Sequence, residues 1–475
     1  MDHLLESPWL VTSATVATLA TLYIATASGD AKKAGTRSLY ELPGPPRQFL
    51  LGSAAHFPKD SWYEVFSKWR EEYGDVIFVP IATMRTVIIH SLSDAEELLN
   101  KRANVWSGRP NNRMVADHMG LSWSLLLTSP GKSFNEQRSI FRKVLGAQAI
   151  IQYDPLVSVE ARNLVESLRD SVGNPSQTIQ AIDAPLTIKM TYGSKIYEEH
   201  GKELADVNME ALEFITWCFS QVWIVNILPI SRLLPSWFPG LKYPAFAKKG
   251  RELVSAIRNR GFDLVKTEIE RGSVDLSIVS KHIHESEFDP DVLQNATAMM
   301  YLGGVDTIST ALSSFFCHML MFPDVQKQIQ AEVDSEVTSG ELPTSKQAVA
   351  MKYLGVAWKE SLRLAPPFPT SVPHVNTSDD VFKGYYIPKG TLLITNVIQR
   401  AQELSRIESV AFGFGRRLCP GRHLADRVGL TLAACALATY DIVPLEGEDI
   451  PTRIEFTKTQ TRRPLDVKCR FVSRG

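Results

Sequence analysis

Cysteine is scarce in this chain: five residues, Cys218, Cys317, Cys419, Cys435 and Cys469, widely spaced and without a C-x-x-C pair. That pattern excludes a disulfide-stapled scaffold, a zinc ribbon and a redox dithiol, and the odd count leaves at least one thiol free, as expected of a reducing compartment. Net charge is equally scarce. With 51 basic and 52 acidic side chains the balance is −1, so no whole-chain field exists to hold nucleic acid or an acidic polymer. Internal repeats, low-complexity runs and a second linker are also missing, which argues for one large domain. What is plentiful is apolar material: 44% of residues are hydrophobic against 22% charged, enough for a sizeable core and too much for a disordered or fibrous protein.

Two long stretches nearly lack charge. Ser7 to Gly29 is 23 residues without any, and a helix of that length, rising about 1.5 Å per residue, crosses a bilayer. Thr12, Thr15, Thr18 and Thr21 thin its hydrophobicity, although helical hydroxyls bond back to their own backbone. A cleaved signal ending at Ala25-Thr26-Ala27 is the competing reading; the leading Asp2 and Glu6 favour an anchor over residues 1–30 instead. Lys32, Lys33 and Arg37 follow, and the positive-inside tendency then places the body in the cytosol. A basic, proline-rich hinge at 31–47 contains Leu42-Pro43-Gly44-Pro45-Pro46, whose fixed torsions and missing N–H donors forbid helix. The body, 48–475, reads as mostly helical. Helical periodicity covers 60–73, 132–172, 203–222, 245–270, 291–322, 345–365 and 420–440, with β-like runs at Val76–Pro80, Thr86–His90 and Tyr385–Ile394.

The most informative segment is Phe412-Gly413-Phe414-Gly415-Arg416-Arg417-Leu418-Cys419-Pro420-Gly421. A cysteine at a helix N-terminus has its thiolate favoured by exposed N–H groups, and Pro420 suits the first turn because no N–H is needed there. Such a sulfur is primed to ligate a metal. Gly415 and Gly421 would let backbone lie flat against a planar cofactor, and Arg417 is a fork-shaped donor suited to a carboxylate. An inert cysteine in a glycine-rich turn fits a lone Gly-x-Cys but not this combination.

The segment resembles the heme-thiolate signature F-x-x-G-x-R-x-C-x-G of the cytochrome P-450 family, matched at Phe412, Gly415, Arg417, Cys419 and Gly421. The resemblance runs from the anchor to the C-terminus and is most similar to microsomal fungal enzymes of secondary metabolism. It implies a mainly α fold with small β-sheets, the cytochrome P-450 fold, preceded by an N-terminal transmembrane helix in the endoplasmic reticulum. It implies heme b, with iron ligated by Cys419 and Phe412 packed on the ligand side, and electrons from NADPH through NADPH-cytochrome P-450 reductase. The implied activity is a monooxygenase acting on a lipophilic small molecule of terpenoid or polyketide type. Arg142, Lys143, Arg416 and Arg422 would offer a positive face to an acidic reductase; solvated surface charge is the plain alternative for each.

Ala296 to Phe322 is 27 residues with one formal charge, Asp306, after the pair Gly303-Gly304. A second membrane span is the plain reading. A carboxylate beside glycines in an apolar helix is expensive unless it has a function, and Gly303-Gly304-Val305-Asp306-Thr307 resembles the family's oxygen-activation motif, which implies proton delivery by Asp306 and Thr307. Glu360 and Arg363 share a helix face that Pro366 ends; they resemble the family's structural E-x-x-R pair. Phe134-x-x-x-Arg138 resembles W-x-x-x-R, with Arg138 on a heme propionate and Phe134 lacking a donor. His374 falls at another propionate position, with Val375 where arginine is usual.

The aromatic run Trp217, Phe219, Trp223, Trp237 and Phe238, broken by Pro229, Pro235 and Pro239, reads as core or as a membrane-facing surface beside the substrate's access path. Only 15 residues, 397–411, separate the last β-like run from Phe412, and they lack the arginine-bearing P-E-R-F-like motif that completes the Glu-Arg cluster. Unless Arg400 or Arg406 substitutes, charge is left uncompensated. A heme-poor, catalytically impaired relative and a non-catalytic heme-binding protein are the alternatives to an active oxygenase.

Overall fold

Apolar spacing of three and four residues dominates the body, and helices form where it does. The computed structural model describes residues 35–475 except 50, 170, 228–230, 232–242, 274, 286, 339, 397–409, 460, 466 and 475. The anchor expected at 1–30, Arg400 and Arg406, and Pro229, Pro235, Trp237, Phe238 and Pro239 lie outside the described residues.

The long helices are α1 (Trp62–Tyr73), α2 (Lys132–Leu145), α3 (Asp154–Leu168), α4 (Ser176–Tyr192), α5 (Ser194–Ser220), α6 (Tyr243–Glu270), α7 (Pro290–Gly304), α8 (Thr307–Met321), α9 (Pro323–Glu336), α10 (Lys352–Leu364) and α11 (Arg422–Thr439). The periodic stretch 132–172 is two helices, parted at Gly146 and a 3-10 turn over Ala149–Tyr153. Helix α4 has no counterpart among the expected segments because Pro185 sits inside it and its second half is buried nearly all round, which erases the amphipathic signal.

Strands are short: β1 (Arg37–Ser38), β2 (Val76–Phe78), β3 (Thr86–Ile89), β4 (His374–Val375), β5 (Asp380–Phe382), β6 (Tyr385–Ile387), β7 (Leu392–Thr395), β8 (Tyr440–Pro444) and β9 (Cys469–Ser473). One sheet runs β2-β3-β7-β4 and another β1-β6-β5, while β9 joins β8 to the short strand Val172–Gly173. Register in the first sheet places His374 opposite Leu393. The result is mainly helical with small sheets, as the sequence suggests.

Within the basic, proline-rich segment 31–47, residues 37–47 are held against the body. Arg37 and Ser38 pair in parallel with Tyr385 and Tyr386, Leu39 is fully buried, and the Phe78 N–H donates to the Pro43 carbonyl at 2.9 Å. The apolar stretch 296–322 is core: every residue of α8 from Ile308 to Leu320 is buried. Among the described residues no single helix is long and apolar enough to cross a membrane; α7 and α8 pass together with α9 by composition, across a bend of 109°.

Candidate active site

The Cys419 loop is entered through a turn that only glycine makes cheaply. Gly413 and Gly415 have φ of +85° and +50°, and a Cβ on Gly415 would lie 2.2 Å from the Leu99 carbonyl oxygen. The glycine at 415 is thus required where the loop presses on Leu99. The Cys419 N–H donates to the Phe412 carbonyl at 2.8 Å and closes the loop. Phe412 itself packs partly buried against the main core.

Helix α11 begins at Arg422 with Gly421 as its N-cap residue, so Pro420 lies ahead of the first turn, not within it. A Cβ on Gly421 would approach the Cys419 sulfur to 3.9 Å, and the Gly421 N–H favours the thiolate of that sulfur. Burial pushes the Cys419 thiol up, while the Gly421 N–H, Arg138 and Arg422 pull it back and Asp426 opposes them. The net direction is upward, so a bound cation at the sulfur is what would displace its proton.

Around this loop the fold gathers Arg109, Arg138 and Arg417, none of them bonded to a carboxylate among the described residues. Arg417 donates to three carbonyls, Ser107 at 2.8 Å, Leu125 at 3.1 Å and Thr128 at 2.7 Å, and lies 4.3 Å over the Phe134 ring. Phe134, which lacks a donor, thus supports Arg417 by its face. Arg138 donates to the Leu418 carbonyl at 2.8 Å. His374 is buried, with Nδ1 2.8 Å from the Trp106 carbonyl. Arg109 reaches the Val372 and Pro373 carbonyls, each at 2.8 Å, and its Nε is buried without a partner. Burial drives Arg109 well below the usual arginine range, with the Arg417 charge adding to it; Arg417 falls to about 10, by burial first and then by Arg138 and Arg416. His374 is held down by burial and by Arg109.

Among the described residues no carboxylate bonds Arg109, Arg138 or Arg417, a costly arrangement unless an anion completes it. A group bearing two carboxylates and a metal for Cys419 satisfies this donor set, and the residues present therefore fit heme b.

Opposite, α7 and α8 leave one face uncovered. Gly303 is exposed and Thr307 partly so, whereas Tyr301, Leu302, Val305 and Asp306 are buried. A Cβ on Gly303 would meet nothing within 4 Å, while one on Gly304 would meet the Thr187 side chain at 3.0 Å. The Thr307 hydroxyl donates to the Gly303 carbonyl at 2.9 Å. Asp306 turns elsewhere: its Oδ1 accepts from Arg463 Nε at 3.0 Å. Burial raises the Asp306 carboxyl despite the opposing Arg463 charge. The two neighbours in sequence thus serve different sides of the helix.

Glu360 and Arg363 form a two-pronged pair at 2.8 and 2.5 Å, with side chains 35% and 18% exposed, so the pair is half-buried rather than sealed. The aromatic run divides. Trp223 is buried and donates to the Cys218 carbonyl, whereas Trp217, in tilted contact with Phe214 and Phe246 and edge-on to Trp223, stays 41% exposed, as do Val222 and Ile224 nearby in sequence. Of the basic residues, Lys143 is held by Glu285 and Glu287 and Arg416 by Asn104, while Arg142 is exposed. Sequence reasoning missed Arg109: a single arginine in a loop carries no periodic signal, and its carbonyl partners lie more than 260 residues away.

Comparison with known proteins places the chain in a family. The cytochrome P-450 family model matches residues 42–403, a match that ends ahead of the Cys419 loop. Cytochrome P-450 monooxygenase 226 of Postia placenta is 30% identical over 500 aligned residues, covering 98% of this chain and 93% of that protein. Since this chain has 475 residues, that relative carries residues with no counterpart here. Cytochrome P-450 monooxygenase claR of Ampulloclitocybe clavipes and ple1 of Rhodocybe pseudopiperita are each 28% identical over 91% of this chain, and 86% and 89% of their own lengths. The family holds heme by a cysteine thiolate, takes electrons from a redox partner and oxidises small molecules. Matched over most of its length by the family model and along nearly all of it by a monooxygenase, the chain belongs to the cytochrome P-450 family of oxidoreductases.

Proposed function

We propose that the protein binds heme b through Cys419 and oxidises a lipophilic small molecule of the terpenoid or polyketide kind in fungal secondary metabolism. NADPH-cytochrome P-450 reductase supplies the electrons, and residues 1–30 anchor the body on the cytosolic side of the endoplasmic reticulum. The observation that carries this reading is the set Arg109, Arg138 and Arg417, none of them bonded to a carboxylate among the described residues, with His374, around a loop whose Gly421 N–H favours the Cys419 thiolate.

Heme held by a thiolate supplies activation of dioxygen and insertion of one oxygen atom into a C–H bond. The chain's residues do the rest. Arg109, Arg138 and Arg417 hold the propionates and regain the stability that their burial costs. Gly303 leaves room on the open face of α7, and the Thr307 hydroxyl, whose one proton is donated to the Gly303 carbonyl, presents an acceptor to that space and becomes a donor there only by giving up that bond. Asp306, paired with Arg463, exchanges protons toward the surface, where Arg463 also meets Glu213. Glu360 and Arg363 tie the core beneath the heme side. Trp217 and its exposed neighbours border the substrate's access path at the membrane.

The test is turnover of full-length protein with reductase, NADPH and a panel of terpenoid and polyketide substrates. Oxidised product that disappears in Cys419→Ala supports the assignment, and product formed equally well by that variant sinks it. A second reading, a heme-poor and impaired relative, is favoured by the 15 residues before Phe412 and by the family match ending at 403. Heme content per chain separates the two.

A further inference from the structure

The break between α7 and α8 is capped by a side chain from another helix. Asp306 is the N-cap residue of α8, and Asp is among the residues that cap best, yet its side chain makes no capping bond. Its Oδ1 accepts from Arg463 and, at 3.5 Å, from Gln180. The amide of Ser309, third residue of α8, donates instead to Asp183 Oδ2 at 3.0 Å, and the neighbouring Ile308 amide pulls the same carboxyl's pKa down. Asp183 belongs to α4, 126 residues away. One turn further along α4, Thr187 is the side chain that packs on Gly304.

Helix α4 therefore grips both sides of the break, at the end of α7 through Thr187 and at the start of α8 through Asp183. An unsatisfied helix start is costly when buried, and the cap it needs comes either from Asp306 or from a neighbour. If Asp306 turned to cap its own helix, its carboxyl would leave Arg463 and the contact with the surface Glu213 that runs through that guanidinium.

We propose that Asp183 is a positioning residue: by capping α8 in place of Asp306, it fixes the helix break beside Gly303 and Thr307 and leaves the Asp306 carboxyl committed to Arg463. Asp183 touches none of the proposed reacting groups and acts through α8. Its catalytic consequence rests on the roles proposed for Asp306 and Thr307, whereas the capping geometry does not.

The experiment compares wild type, Asp183→Ala and Asp183→Asn as full-length protein. Amide hydrogen exchange at single-residue resolution reads the cap directly and needs no turnover. In the wild type the Ile308 and Ser309 amides are protected like the interior of α8. The alanine variant exchanges them about tenfold faster or more, while asparagine, which keeps an acceptor oxygen, stays near wild type. With reductase and NADPH, the alanine variant also loses several-fold more of its electrons to hydrogen peroxide at unchanged heme content, and asparagine restores the partition. Fast exchange of these two amides in the wild type overturns the proposal even if the alanine variant does not fold. Asparagine behaving as alanine overturns it as well. Lost protection with an unchanged partition leaves Asp183 a plain structural cap and also overturns it. Absence of heme from all three proteins defeats the proposed function first, and the exchange result still decides the cap.

Discussion

Arg417 shows how one side chain holds a loop. Its three donors end on three carbonyls of the 107–128 segment, and its guanidinium covers Phe134. Arg417→Leu removes these bonds and leaves the carbonyls unpaired, so a loss of roughly 2–4 kcal/mol is expected, read as a lowered melting temperature and lowered heme retention. Asp183 sets a pH dependence. Burial holds its carboxyl up at about 8, with Asp306 raising it and the Ser309 and Ile308 amides opposing. An acid whose folded value lies above its unfolded value binds its proton more tightly in the folded chain. Its contribution is therefore full below about pH 4 and is lost as pH rises toward the folded value. The charge acting on it is Asp306, itself paired to Arg463, which also meets Glu213. Asp183→Asn has nothing to ionise there. Its melting temperature, relative to wild type, is expected to climb between about pH 5 and 8; parallel curves would contradict the assignment. Cys419 was legible in the sequence because its neighbours form a motif. Arg109 was not, since burial and lack of an acid are properties of packing.

At the scale of elements, glycine positions separate the roles of two loops. Gly415→Ala places a methyl against the Leu99 carbonyl at a left-handed φ, so it is expected to cost about 2 kcal/mol or more and to lower heme content. Gly303→Ala meets nothing within 4 Å and gains helix propensity, so the fold is expected to be unharmed or stabilised by up to about 1 kcal/mol. Thermal unfolding of both variants checks the contrast, and equal destabilisation would contradict it. The α7–α8 pair was visible as a long apolar run with glycines and one acid, but not as two helices with a break at 305–306. Helix α4 was not visible at all. Pro185 and burial on nearly every side mask its periodicity, although it is the element that holds the break.

Across the whole molecule, residues 37–47 strap the segment ahead of the body onto it. Leu39 is fully buried in a cluster with Phe78, Trp106 and Phe414, the last of these on the Cys419 loop. Leu39→Ala is expected to cost on the order of 2–5 kcal/mol and to loosen that loop, read as faster heme loss. The short stretch before Phe412 bears on the same question, because the sequence there lacks the P-E-R-F-like motif expected to complete the Glu360–Arg363 cluster. A mainly helical body with small sheets was readable from periodicity; how far the strap is pinned was not, since it depends on pairing with Tyr385 and Tyr386 far along the chain. The measurement that tests the central claim most directly is the reduced, carbon-monoxide-bound difference spectrum of the full-length protein in membranes. A Soret band at the position diagnostic of thiolate-ligated heme, lost in Cys419→Ala, is the expected result. A band typical of heme without thiolate, or no heme signal from well-expressed protein, would contradict it.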